Sequence, residues 1–293
     1  MSAAWKREPR TWAAIVITLL LWASAFAGIR AGLADYGPGE VALLRFGTAS
    51  LVLAVYAILT RMRLPDRRDL PVIALAGFLG ISVYHVALNF GERSVASGAA
   101  ALIISASPIF TAMLSSRFLG ERITGWGWVG IIASFAGVAL IALGEGGGVR
   151  LNTDALLILV AAVATSVYFI VSKPPLRRYS GLEFTSYAIW AGTVPLLVFA
   201  PGLAGQFALA QTTSTLAVVY LGVFPGAIAY VLWAYALSRM SATTLSTFLY
   251  FQPVNAALIA WVWLGEVPAL LTVVGGVVSI LGVVIVNTKG SQG

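Results

Sequence analysis

Stretches of 18 to 25 apolar residues, broken by glycine, proline and small charge clusters, follow one another through almost the whole chain. A span of the bilayer takes roughly 20 apolar residues of helix. Lipid offers backbone N–H and C=O groups no partners, so such stretches must close their own hydrogen bonds. Ten spans are predicted near 11–33, 39–60, 69–91, 95–119, 125–144, 154–173, 183–200, 214–236, 241–264 and 269–288. The runs 69–119 and 214–264 are split at Glu92-Arg93 and at Arg239, because an unbroken helix of that length would overshoot any bilayer. With 59% hydrophobic and only 10% charged residues, against about 25% charged in a soluble domain, the chain is expected to be an all-α integral membrane protein. Ten spans leave no room in 293 residues for a separate soluble domain.

Lys6, Arg7 and Arg10 before an apolar run ending in Ala23-Ser24-Ala25 are similar to a signal peptide. Bulky Trp22 and hydrophobicity continuing to Leu33 favour a retained first span. With the N-terminus cytoplasmic, fourteen Lys and Arg fall on that side and only Arg30, Arg93 and Arg150 on the other, leaving Arg45 inside a span. That asymmetry is the positive-inside pattern, which predicts a multi-pass membrane protein with both termini cytoplasmic. The net charge of +7 then reports orientation and needs no nucleic-acid partner. No cysteine and a single histidine exclude disulfides, thiolate chemistry and zinc clusters, so neither metal nor cofactor is expected. The glycines at 144–148 lack the lysine of a phosphate loop, and no paired mid-span aspartates suggest an intramembrane protease.

Residues 95–143 and 240–288 match without a gap at an offset of 145: Pro108 with Pro253, Gly120-Glu121 with Gly265-Glu266, Gly130 with Gly275, Ser134 with Ser279, Gly137 with Gly282. Upstream the offset drifts, to 143 for Glu40 and Glu183 and to 142 for Ser24 and Ser166. The chain therefore divides into five-helix halves, 1–148 and 149–293, joined by the linker Gly144 to Gly148. An odd number of spans per half makes the halves inverted, the architecture that supports alternating access around a midplane site. Both halves lie in one chain, so a monomer is expected to suffice.

Leu21-Trp22-Ala23-Ser24-Ala25-Phe26 with Arg30, then Leu44-Arg45-Phe46, and later Leu119-Gly120-Glu121-Arg122 with the glycine-rich span after it, resemble ten-span EamA-like exporters of the drug/metabolite transporter superfamily. The resemblance implies two halves around a central cavity. It is strongest to a subgroup that exports aromatic and other neutral amino acids from bacteria.

None of the eleven acidic residues lies near the middle of a span. Intramembrane carboxylates are costly unless functional, so their absence points away from a carboxylate-driven cation exporter and towards a neutral or zwitterionic solute. Pro108 and Pro253 lie near the centres of spans 4 and 9, beside Ser107 and Gln252, where each frees a carbonyl four residues earlier. These groups either line the cavity or merely permit close packing and bending. His85 shares a face with Asn89, and its repeat counterpart Tyr230 lies one turn from Trp233. Inverted symmetry would put them at opposite ends of one pathway, as gates or site walls; the alternative is an interior histidine satisfied by Asn89 or a backbone carbonyl. Trp22 with Phe26, and Thr165 with Tyr168, form faces that can stack against an aromatic solute. Tyr84, Trp190 and Tyr250 complete the aromatic candidates. Arg45 can hold a carboxylate through two bonds, or snorkel outward, or pair with Asp35 or Glu40. Glu121 and Glu266 are expected to cap and orient the following helices, and the glycine and serine positions of spans 5 and 10 to form a packing seam.

The expected function is facilitative export of neutral, especially aromatic, amino acids and related small metabolites. The alternative is a multidrug exporter of flat aromatic cations held by π faces, with His85 available for proton coupling.

Overall fold

The computed structural model describes residues 8–119, 122–145, 152–240, 242–289 and 291–292. Glu121 and most of the glycine linker lie outside the described residues, and so does the side chain of Tyr250. Among the described residues the regular structure is helical apart from a two-residue ladder, β1 (Arg122–Ile123) with antiparallel β2 (Ser291–Gln292). Among the described residues, seven stretches are helical, long and apolar enough to cross a membrane: Pro9–Gly32, Pro38–Thr60, Arg67–Gly91, Ser97–Leu114, Thr153–Arg177, Gly181–Leu209 and Thr212–Arg239. Two shorter apolar helices cover Gly125–Ile141 and Leu270–Gly282.

Helices α1 (Pro9–Gly32) and α2 (Pro38–Thr60) each start on a proline, which has no N–H to strand in a first turn. Arg61 closes α2 in the left-handed conformation, at φ 51°. Next, α3 (Leu70–Gly77) passes through a π-helical turn, Phe78–Val83, into α4 (Tyr84–Gly91). After α5 (Ser97–Ile104) the chain turns at Ser105 and restarts as α6 (Ser107–Leu119), followed by α7 (Gly125–Glu145) and α8 (Thr153–Ser172). A capping box, Ser180 with Glu183, opens α9 (Gly181–Leu196), and α10 (Ala200–Leu209) continues it after a short turn. Then α11 (Thr212–Leu221) crosses a second π-helical turn, Gly222–Ile228, into α12 (Ala229–Arg239). Finally α13 (Ala242–Ser246), a 3-10 turn at Thr247–Phe251 and α14 (Gln252–Leu264) precede α15 (Leu270–Lys289).

Pro108 and Pro253 do not kink continuous helices as the sequence suggests. Each is the second residue of a new helix, α6 and α14, where a missing N–H costs no intrahelical bond. The exterior of the bundle is apolar: Leu51, Ile58, Leu59, Val194, Val198 and Val262 are exposed. Its interior holds Arg45, His85, Asn89, Ser107, Thr111, Ser166 and Gln252, all buried. Polar groups inside and aliphatic groups outside is the distribution a lipid solvent selects. Helices α7 and α15 pack backbone to backbone along the glycine–serine seam. A Cβ on Gly137 would lie 2.4 Å from the amide nitrogen of Ser279, and Ser134 Oγ donates to the Ser279 carbonyl at 2.8 Å.

Candidate functional site

The two π-helical turns face the middle of the bundle. A π turn widens the helix and leaves carbonyls off the regular ladder, free to accept from side chains. In the first turn the Gly80 carbonyl accepts from Tyr230 OH at 3.1 Å; in the second the Pro225 carbonyl accepts from Trp22 Nε1 at 3.1 Å. Tyr230 OH lies 2.9 Å from His85 Nε2. Because the phenol proton goes to Gly80, Nε2 carries the imidazole proton and donates, leaving Nδ1 as an acceptor without a partner. His85 and Tyr230 are thus bonded to each other at one level of the bundle. They do not stand at opposite ends of a pathway, and neither Asn89 nor a backbone carbonyl is the partner of Nε2.

Around this bond lies a cavity of about 30 Å³, room for one or two waters. Its walls come from seven helices and one 3-10 turn: Trp22, Ala25, Phe26 and Ile29 of α1, Arg45 of α2, Tyr84, His85 and Leu88 of α4, Ile104 of α5, Thr165 and Phe169 of α8, Tyr230 of α12, Leu249 of the turn at Thr247–Phe251, and Gln252 at the start of α14. The Trp22 ring meets Tyr230 edge-on at 5.3 Å, Phe46 packs against His85 at 4.4 Å, and Tyr84 meets His85 edge-on at 4.5 Å. Arg45 is 2% exposed, so it does not snorkel, and none of the ion pairs among the described residues includes it. Its Nε and Nη1 have no hydrogen-bond partner, and its guanidinium carbon sits 5.2 Å over the Phe46 ring. Among the described residues that line the cavity none is acidic.

Trp22, Arg45, Tyr84, His85, Tyr230 and Gln252 therefore converge on one cavity, and the remaining candidates stand behind or away from it. Trp233 backs Trp22 at 4.8 Å and Phe169 at 5.2 Å, with its own Nε1 buried and unpartnered. Tyr168 packs 6.2 Å from Tyr230 and against Gly80. Asn89 Nδ2 donates to the Pro38 carbonyl at 2.9 Å, tying α4 to the start of α2. The Ser107 carbonyl accepts from Ser166 Oγ at 2.7 Å and from Thr111 Oγ1 at 3.0 Å, joining α6 to α8 beside Pro108. Pro253 is buried next to Gln252, and Trp190 Nε1 donates to the Ser50 carbonyl at 3.2 Å between α9 and α2. Phe169, Leu88, Ile104 and Leu249 belong to the wall without having been singled out. Only the 100° turn per helical residue could have indicated Phe169, which continues the Thr165 face at i+4.

A cationic clasp ties helices together at each end of the bundle. At the end holding the C-terminus of α1, Arg30 Nε pairs with Glu266 Oε1 at 3.2 Å while Arg30 Nη1 donates to the Glu92 carbonyl. Glu266 Oε2 also accepts from the Ser97 amide at 3.0 Å, so it bridges helices and does not cap the one after it. At the opposite end Lys173 Nζ donates to the Leu237 carbonyl at 2.6 Å and to that of Met240. Arg239 with Glu8 at 2.8 Å and Arg63 with Glu183 at 2.8 Å flank it. Glu92, one residue beyond the end of α4, is fully buried with both carboxyl oxygens unpartnered. Burial holds this carboxyl well above the usual carboxylate range, against the pull of Arg30 and with nearby Glu266 adding to the rise.

The sequence profile of the EamA-like transporter family matches this chain twice, over residues 11–143 and 153–288. The chain belongs to the EamA-like transporter family. This EamA-like protein is 44% identical over 263 residues to the uncharacterized transporter YdfC of Bacillus subtilis, covering 90% of this chain and 86% of that one. It is also 44% identical over 284 residues to a protein named "Probable terminal-alkyne amino-acid exporter" from Streptantibioticus cattleyicolor, covering 97% and 95% of the two chains. A solved crystal structure superimposes with a TM-score of 0.65 over 93% of this chain and 95% of its own at 20% identity, a likeness of fold. The EamA-like chain is a multi-pass membrane transporter.

Proposed function

We propose that this EamA-like transporter crosses a bacterial inner membrane ten times, with both termini cytoplasmic, as inverted halves 1–148 and 149–293. In that arrangement it exports neutral amino acids with apolar or aromatic side chains by facilitative alternating access, as a monomer. The broken segment α13–α14 and the shorter α7 and α15 would complete ten spans beside the seven longer stretches. The twofold profile match supports two halves. So do the π-helical turns, whose side-chain-bonded carbonyls at Gly80 and Pro225 lie 145 residues apart, and the pairs His85–Tyr230 and Ser134–Ser279, which bond across that same separation. Equivalent residues touch only at a two-fold axis, so the axis of this reading runs through the cavity.

Both clasps are closed around a cavity too small for an amino acid, which supports an occluded state from which either end can open. The clasps are themselves related by the repeat: Arg30 bonds the Glu92 carbonyl, and Lys173 bonds that of Leu237, 145 residues later.

One observation carries the substrate reading: a small aromatic cavity reached by a buried guanidinium that none of the ion pairs among the described residues includes, with no acid among the described residues that line it. A fixed positive charge there opposes flat cations and suits a solute carrying a carboxylate. The Streptantibioticus relative, named as a probable terminal-alkyne amino-acid exporter, supports an amino-acid solute.

The test is counterflow in liposomes containing only this protein, with labelled phenylalanine, threonine and a lipophilic cation, with and without a proton gradient. Amino-acid flux independent of the gradient is expected. Flux of the cation alone, or flux only with the gradient, would overturn the reading.

A further inference from the structure

Arg45 is a buried charge that none of the ion pairs among the described residues includes. Its side chain reaches the central cavity, nine-tenths and more buried, with Nε and Nη1 unpartnered. Taking a guanidinium out of water without an anion is strongly unfavourable, and the Phe46 face at 5.2 Å returns only part of that. The described acid nearest in electrostatic reach, Glu92, is itself buried without a hydrogen-bond partner. The groups available to a solute's ammonium are weaker: the bare His85 Nδ1, the Gln252 side chain and aromatic faces, with no lining carboxylate among the described residues. The cavity is therefore built asymmetrically, with an ionic partner for an anion and only neutral acceptors for a cation.

We propose that Arg45 binds the solute's carboxylate and that the carboxylate, rather than the ammonium, is the group the site requires. The substrate class then extends to deaminated monocarboxylates with an apolar or aromatic tail. This inference rests on the cavity being the solute site of the reading above. The anion supplies the counter-charge that the protein withholds, while Trp22, Phe26 and Phe169 receive the tail.

Binding to the purified full-length protein in detergent, followed by titration calorimetry, tests it with L-phenylalanine, 3-phenylpropanoate, which lacks the ammonium, and L-phenylalaninamide, which keeps the ammonium and lacks the carboxylate. Phenylpropanoate should bind within a few-fold of phenylalanine, and the amide roughly ten- to a hundredfold more weakly, the ratio a charge-assisted hydrogen bond supplies. Arg45→Gln should remove the discrimination between acid and amide, and Arg45→Lys should keep part of it, because the charge remains while the planar fork is lost. A fold defect alone would weaken all three ligands together and leave their ratio unchanged, so the ratio is the deciding readout.

If the amide binds and phenylpropanoate does not, the proposal fails while the amino-acid reading stands. Binding of phenylpropanoate alone, lost in Arg45→Gln, supports the proposal and removes the amino-acid reading. Failure of all three ligands to bind overturns both.

Discussion

Tyr230→Phe deletes a single oxygen, and the structure fixes what that oxygen holds. The hydroxyl donates to Gly80 at 3.1 Å and accepts from His85 Nε2 at 2.9 Å. Both contacts are buried, and His85 Nδ1 is already without a partner. Removing the hydroxyl strands a carbonyl and an imidazole N–H, at a cost of about 1 to 3 kcal/mol for each buried group left unsatisfied. Water entering the small cavity would recover part of that, so the expected loss of stability is about 2 to 4 kcal/mol. In a His85→Leu background the imidazole is gone and only the Gly80 carbonyl is stranded, so the same substitution should cost about 1 to 2 kcal/mol less. The measurement is a double-mutant cycle of unfolding free energies in one defined detergent micelle, using wild type, both single variants and the double variant. A coupling of about 1 to 2 kcal/mol is expected, well above the 0.3 to 0.5 kcal/mol scatter of independent sites. Additivity within that scatter would show that the two side chains are not a unit, and would remove the central bond on which the closed cavity is built.

Gly137→Ala should lower the melting temperature markedly, by the equivalent of about 1 to 3 kcal/mol, because its Cβ meets the Ser279 amide and the Gly275 carbonyl. Gly47→Ala, with nothing within 4 Å, should not; equal behaviour of the two would refute tight α7–α15 packing. The chain has no cysteine, so Leu249→Cys in the cavity wall reports access to a membrane-impermeant maleimide. Arg30→Ala should raise its labelling from outside and Lys173→Ala from inside, and any other pairing of variant and side would contradict the two-clasp reading. Glu92, raised by burial, keeps a proton in the folded state that the unfolded chain releases above about pH 4.3. Its contribution is therefore complete below that pH and is lost as pH rises towards the folded value, with a slope of up to about 1.4 kcal/mol per unit. Glu92→Gln should flatten the fall in stability between about pH 5 and about pH 7, and an unchanged curve would refute the assignment.

How much of this could be read in the residues depends on which interactions are local. The apolar runs and their two splits were legible because helix length is tied to lipid thickness: α4 ends beside Glu92 and α12 ends at Arg239. The cavity's polar members stood out because a histidine, an arginine or a tryptophan inside an apolar run has few structural excuses. Phe169, Ile104 and Leu249 could not stand out, since a cavity wall and a packed core use the same side chains. On α8 the polar hydroxyl of Tyr168 drew attention to a position one residue, and hence 100°, away from the face that lines the cavity.

The prolines misled for a local reason: at mid-run they imply a kink, but a turn just upstream makes them first-turn residues, where proline is at ease. Glu92 marks a span end in the sequence, which says nothing of burial; in the fold Arg30 bonds the Glu92 backbone carbonyl and the Glu266 carboxylate, and the buried Glu92 side chain is left without a partner. The absence of mid-span acids is therefore a weaker guide to buried acids than it looks. Burial is set by the depth of the protein shell around a residue, while span position measures only depth in the membrane.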